Sequence, residues 1–282
     1  MGKWLWRVIA AAAAAPVLSV APLAAALPIA PDPIAPVAGI PEPCQAAAPW
    51  PGDDASIDEL TAKITENWGF SIAGSGWTED NRESIKIVWE TLDAMNCTPF
   101  LTDLKAKVDG KVGLNATRIS GYAWGDWSLT KAGYVSFDFT KFAKALDAGD
   151  EGRLVRLVTH ELAHVLNADR YSSPEYWKKF QELYAEEGRF SDYAGSSVTE
   201  TFADVVGYYA GRCALHNPYD TGEYDAYYEF VKQEVFGGHE FGPPAGERVD
   251  CAEVDADAEE PQPGPEAHPA RPGDWIESLR EA

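Results

Sequence analysis

The sequence predicts an α+β domain on three observations: several segments of helical period, one short alternating run punctuated by glycine, and one helical segment that carries two histidines among apolar residues. With 282 residues, 45% hydrophobic content and ten tryptophans, the chain can bury one substantial core. Its two ends differ in composition from its middle.

Residues 1–26 read as an export signal, because Lys3 and Arg7 precede an apolar run from Val8 to Ala26 that closes on Ala24-Ala25-Ala26. Cleavage is expected before Leu27, with an uncleaved membrane anchor as the alternative, since the run is just long enough to span a bilayer. Residues 27–54 are rich in Pro and Ala and have too few periodic apolar positions for an element, so a semi-extended linker is expected there. The folded domain is expected over residues 55–250, followed by an acidic, Pro-rich tail at 251–282.

Within the domain, Ile57 to Gly69 and Asn81 to Asn96 have helical spacing, the second with Ile85, Val88, Trp89 and Leu92 on one stripe. PFLTDLKAKV adds a short helix. Gly121 to Phe139 reads as a loop or hairpin leading into a strand at Tyr134 to Phe139. That strand is expected at the edge of a small mixed sheet just before the histidine-bearing helix. An edge strand can hold an extended peptide by main-chain pairing, which makes Tyr134, Val135, Ser136 and Phe137 candidate substrate-binding residues. Trp124 and Trp127 are candidate walls of the same groove. Three more helices follow: one with Leu154, Leu157, Val158, Leu162 and Val165 on its apolar face, one capped at Ser173, and one in SVTETFADVVGYYAGRCAL.

The four cysteines, Cys44, Cys97, Cys213 and Cys251, form no C-x-x-C pair and suit an oxidising destination. Of three possible connectivities, Cys44–Cys97 with Cys213–Cys251 is favoured, because it ties each tail to the body. A formal charge of −22 argues against a nucleic-acid partner, which would need clustered Lys and Arg. A monomer is expected.

The chemistry is concentrated in VTHELAHVLNADR, Val158 to Arg170. Residues four apart on a helix share a face, so His160 and His164 can aim two imidazoles at one zinc ion, with Glu161 beside them to accept a proton from water that the metal activates. Zinc hydrolases commonly use a third protein ligand. The helix does not supply one: Asn167 and Arg170 stand where a longer motif would have glycine and histidine. Of the remaining histidines, His268 lies in the tail, and His216 and His239 lack a motif partner. Glu200 is the better candidate, because it shares a helix face with Asp204 four residues on, so that one carboxylate can bind metal and the other can hydrogen-bond a ligand histidine.

HELAH followed by LYAEEGRFSDYAGSSVTETFAD is similar to the catalytic segment of anthrax-lethal-factor-like metallopeptidases, which include the Pro-Pro endopeptidases. The resemblance covers about residues 134 to 211: a tyrosine, Tyr193, seven residues before Glu200, then Glu200-Thr201-Phe202-Ala203-Asp204. It implies a zincin-like fold, one catalytic zinc held by His160, His164 and Glu200, Glu161 as general base, and Tyr193 as hydrogen-bond donor to the oxyanion. Asp204 departs from the longer Glu common at that position. A secreted zinc endopeptidase acting on a peptide or protein substrate is therefore expected. A zinc-holding exported binding protein without turnover and a host-directed toxin-like effector are the alternatives.

Overall fold

The computed structural model describes residues 48–195 and 197–251; the expected signal segment, most of the linker, Cys44, His268 and nearly all of the tail lie outside the described residues. Among the described residues, eight α-helices and a four-stranded mixed sheet form an α+β fold. None of these helices is long and apolar enough to cross a membrane.

The first helix, α1 (Ile57–Trp68), starts where Ser56 Oγ accepts the Glu59 N–H and stops at Gly69, whose left-handed backbone ends the helix. Its buried Leu60, Ile64 and Trp68 recur every four residues and face the core. After β1 (Ser71–Ala73) comes α2 (Arg82–Ala94), which buries the expected stripe together with Ile87 and Thr91 and is enclosed on more than one side. Trp89 anchors this region: Trp68 and Trp50 both meet it edge-on, and its indole Nε1 donates to the Ala48 carbonyl at 2.7 Å. Residues 48 and 50, inside the expected linker, are thus packed on the domain.

Next come α3 (Phe100–Lys107), β2 (Gly113–Ala116), β3 (Gly125–Trp127) and β4 (Tyr134–Phe137). The sheet order is β1-β2-β4-β3, with β1, β2 and β4 parallel and β3 antiparallel to β4. The expected hairpin is present, but the expected edge is displaced by one strand. β4 pairs on both sides, and Val135, Ser136 and Phe137 are buried. The edge belongs to β3, because the hairpin folds back on the outer side of β4. β4 also ends two residues early: Asp138 caps a helix not anticipated from the sequence, α4 (Phe139–Asp147), by accepting the Thr140 N–H.

The central helix is α5 (Glu151–Leu166), which packs against α2, α3, α4, β3, β4 and most extensively α7. Asp150 caps it by accepting the Arg153 N–H. α6 (Glu175–Glu187) begins after Pro174, not at a Ser173 cap; Ser173 is left-handed and closes the preceding turn through its N–H to the Arg170 carbonyl. α7 (Val198–Ala210) is capped by Ser197 Oγ, and α8 (Asp225–Glu234), also unanticipated, completes the domain. The Cys213–Cys251 disulfide ties the chain after α7 to residue 251, its Cα atoms 5.6 Å apart. Cys97 is also disulfide-bonded.

Candidate metal centre

Two helices build the site. α5 is apolar on the face it turns to the core, so its second half presents His160 and His164 one turn apart toward α7. α7 comes unusually close, because two of its contacts are made by glycines. A Cβ at Gly207 would lie 2.9 Å from the Arg156 carbonyl oxygen and 3.2 Å from the His160 Cβ, and one at Gly211 would lie 2.7 Å from the Arg156 nitrogen. This close approach offsets the short side chain of Asp204, whose Oδ1 accepts the His160 Nδ1–H at 2.9 Å.

The donor atoms converge. His160 Nε2 and His164 Nε2 are 3.2 Å apart, and Glu200 Oε2 lies 3.3 Å from the first and 3.4 Å from the second. Ligand atoms bonded tetrahedrally at zinc distances stand roughly 3.3 Å apart, so this N, N, O triangle has the edge lengths of three ligands around one small ion. These three residues form the one metal-capable cluster found among the described residues. His160 is buried, whereas the side chains of His164 and Glu200 are 19% and 27% exposed. The triangle is therefore approachable from one side, where a fourth ligand can enter.

The electrostatics suit a cation. Burial opposes charge on His160, but its hydrogen bonds to Asp204 and Glu200 and the nearby carboxylates outweigh this and lift it to about 10. Burial likewise opposes charge on Glu200, yet the two histidines hold it well below the ordinary carboxylate range. A metal bound by these donors would compete with protons for them.

Asp204 organises the surroundings. It is fully buried, and against that burial the Arg156 charge and the His160 hydrogen bond bring it to about 2. As an ionised acceptor it obliges His160 to present Nδ1–H to it and leaves Nε2 for the metal. Its Oδ1 also accepts from Arg156 Nη2 at 2.9 Å, and its Oδ2 accepts a short hydrogen bond from Ser191 Oγ. Ser191 Oγ in turn accepts the Ala194 N–H, so the loop bearing Tyr193 is fastened to the same carboxylate.

Glu161 is 5% exposed, and burial pushes its carboxyl up to about 7, with Glu200 and Asp126 adding to the rise and the two histidines opposing it. It lies against β3: a Cβ at Gly125 would stand 2.8 Å from Glu161 Cγ and 3.0 Å from its Oε1. Only glycine leaves the carboxylate this room. Tyr193 is 40% exposed, its ring edge-on to His160 at 5.7 Å. Partial burial, then Glu200, Glu161 and Asp204, push its ionisation upward, so the phenol stays protonated and can donate.

The structure thus brings His160, Glu161, His164, Tyr193, Glu200 and Asp204 together. It does not bring the β4 residues to them as a pairing edge. Tyr134 covers Gly113 and lies under Lys131, 4.8 Å away, while Ser136 accepts from Asn115 Nδ2 inside the sheet. Trp127 lies on the true edge strand, and Trp124 sits just before it with the Arg153 guanidinium 5.2 Å above its ring. Hydrogen bonds from Asp138 N–H to the Trp124 carbonyl and from Ser128 N–H to the Tyr134 carbonyl flank the Asp126–Ser136 pair. Antiparallel alternation therefore turns the main-chain groups of Gly125 and Trp127 toward the open edge.

The sequence reading missed Arg156, Ser191, Gly125 and Gly207. Arg156 was within reach of it, standing four residues before His160 and so on the same helix face. No local pattern singles out the other three, because their neighbours come from distant segments. Comparison of the chain with protein-family models, with curated proteins and with solved structures finds no match.

Proposed function

We propose that the chain is an exported zinc-dependent endopeptidase of zincin-like architecture, similar to the anthrax-lethal-factor-like metallopeptidases. The observation that carries this reading is the His160, His164, Glu200 triangle, with donor spacings of 3.2 to 3.4 Å and Glu161 and Tyr193 beside it. Two imidazoles and one carboxylate favour zinc over the oxygen-only sites of calcium or magnesium. Bound there, zinc would polarise the scissile carbonyl and lower the pKa of an attacking water toward neutrality.

The chain's residues then divide the work. Glu161, buried beside the donors, takes the proton of the attacking water and delivers it to the leaving amine. Tyr193, protonated, donates a hydrogen bond to the oxygen on which negative charge develops. Asp204 keeps His160 in the tautomer that leaves Nε2 for the metal. The extended substrate pairs with the outward groups of β3 at Gly125, which packs against the base, and at Trp127.

Cleavage of a diverse peptide library, with and without a zinc chelator, tests the reading. Wild-type protein is expected to cut internal peptide bonds, to lose activity with the chelator and to regain it on adding zinc. A zinc-loaded protein that cuts no member of the library would overturn the enzyme reading and favour a zinc-holding protein without turnover.

A further inference from the structure

The two helices of the metal centre are joined by a largely enclosed cation that the donor triangle does not need for coordination. Arg156 lies one helical turn before His160, with 14% of its side chain exposed. Its Nη2 donates to Asp204 Oδ1 at 2.9 Å, the same oxygen that accepts the His160 Nδ1–H. The guanidinium carbon stands 4.1 Å from the Tyr208 ring centroid and 5.6 Å from that of Tyr193. It is therefore held between an aromatic ring of α7 and the tyrosine beside the metal donors, with its charge on Asp204.

Asp204 has a short side chain with little freedom, and its two oxygens carry three partners: Arg156 and His160 on Oδ1, Ser191 on Oδ2. A buried carboxylate with so many duties needs a fixed counter-charge, and a planar guanidinium supplies both charge and direction. No other Lys or Arg forms an ion pair with Asp204 among the described residues.

We propose that Arg156 is a positioning residue of the metal centre: it clamps Asp204 so that this carboxylate orients the His160 imidazole, and through its cation face it steadies Tyr193. The inference rests on the reading of His160, His164 and Glu200 as metal ligands. Arg156 touches neither metal nor substrate in this account and acts through Asp204.

The test measures Zn2+ affinity by competition with a fluorescent chelator, on the full mature chain, for wild type, Arg156→Met, Asp204→Asn, the double variant and Arg156→Lys. Arg156→Met is expected to weaken zinc binding about 10- to 100-fold, the range for partners that orient a ligand. Arg156→Lys should recover part of that loss, because an ammonium restores the counter-charge but not the planar direction of the guanidinium. In the Asp204→Asn background the Arg156→Met change should alter affinity less than about twofold, since the residue through which it acts is already gone. Should Arg156→Met not fold, Arg156→Gln, which removes the charge but keeps a polar head group, is compared in the two backgrounds in its place. An unchanged affinity in Arg156→Met, or an equal loss in both backgrounds, overturns the proposal. Wild-type protein that binds no zinc overturns instead the metal reading beneath it.

Discussion

The helix pair α5/α7 and the hairpin β3/β4 meet at the same site but are built on opposite principles. Between the helices one carboxylate is tied several times over: Asp204 holds His160, Arg156 and Ser191, and glycines bring the backbones together. Among the described residues, the main chain along the outer side of β3 has no strand partner, and a missing side chain at Gly125 gives Glu161 its place. Over-determination suits groups that must hold still, such as metal ligands. An open edge suits groups that must accept a partner from outside.

The comparison is tested most severely on the helix side. Glu200→Ala removes one of three donors and should abolish stoichiometric zinc binding, whereas Asp204→Ala should weaken it about 10- to 100-fold while leaving binding measurable. Equilibrium dialysis with metal analysis distinguishes the two. Equal and complete loss in both variants would mean that Asp204 is itself a ligand.

On the hairpin side the expected losses are in turnover, not in metal. Gly125→Val places carbon atoms where Glu161 now lies, so kcat/KM should drop about 100-fold, within the usual contribution of a positioned general base, with zinc content unchanged. Trp127→Pro removes one outward N–H from the edge and should raise KM several-fold beyond the effect of Trp127→Ala. Steady-state kinetics on a single cleaved peptide separate the two effects. Matching values for Trp127→Pro and Trp127→Ala would remove main-chain pairing at that residue from the account.

The smallest effect lies away from both regions. Glu90 on α2 has a buried Oε2 with no hydrogen-bond partner, and burial raises its pKa to about 7, with Glu83 and Asp93 adding and Lys86 opposing. A carboxyl with a folded-state pKa above its unfolded value binds more protons when folded. Stability therefore falls as pH rises from about 4.5 to about 7, and the penalty persists above that window. Glu90→Gln should raise the Tm at pH 8 by more than at pH 5. An equal shift at both pH values would show that ionisation of Glu90 is not the cause.

The helix pair was also the more legible half. H-E-x-x-H and E-x-x-x-D are each statements about one helix, so their spacing alone locates five of the six clustered residues and suggests the role of Glu161, and the family resemblance adds Tyr193. Strand order carries no such local mark. The run YVSF alternates as an edge strand would, but both of its sides are filled by segments 18 or more residues upstream and by the hairpin that folds back on it. α4 was hidden because its first residue, Phe139, continues the aromatic alternation of β4, and Asp138 reads equally as strand or cap. α8 lacks a side-chain cap, so nothing in DAYYEFVKQE marks its start.

The central claim is that Glu161 is a base acting at a metal centre it does not build. Zinc stoichiometry and peptide turnover measured on the same preparations of wild type and Glu161→Gln test this most directly. The account predicts one zinc per chain in both proteins and a loss of at least about 100-fold in kcat for the variant. Full zinc with undiminished turnover in Glu161→Gln would contradict it.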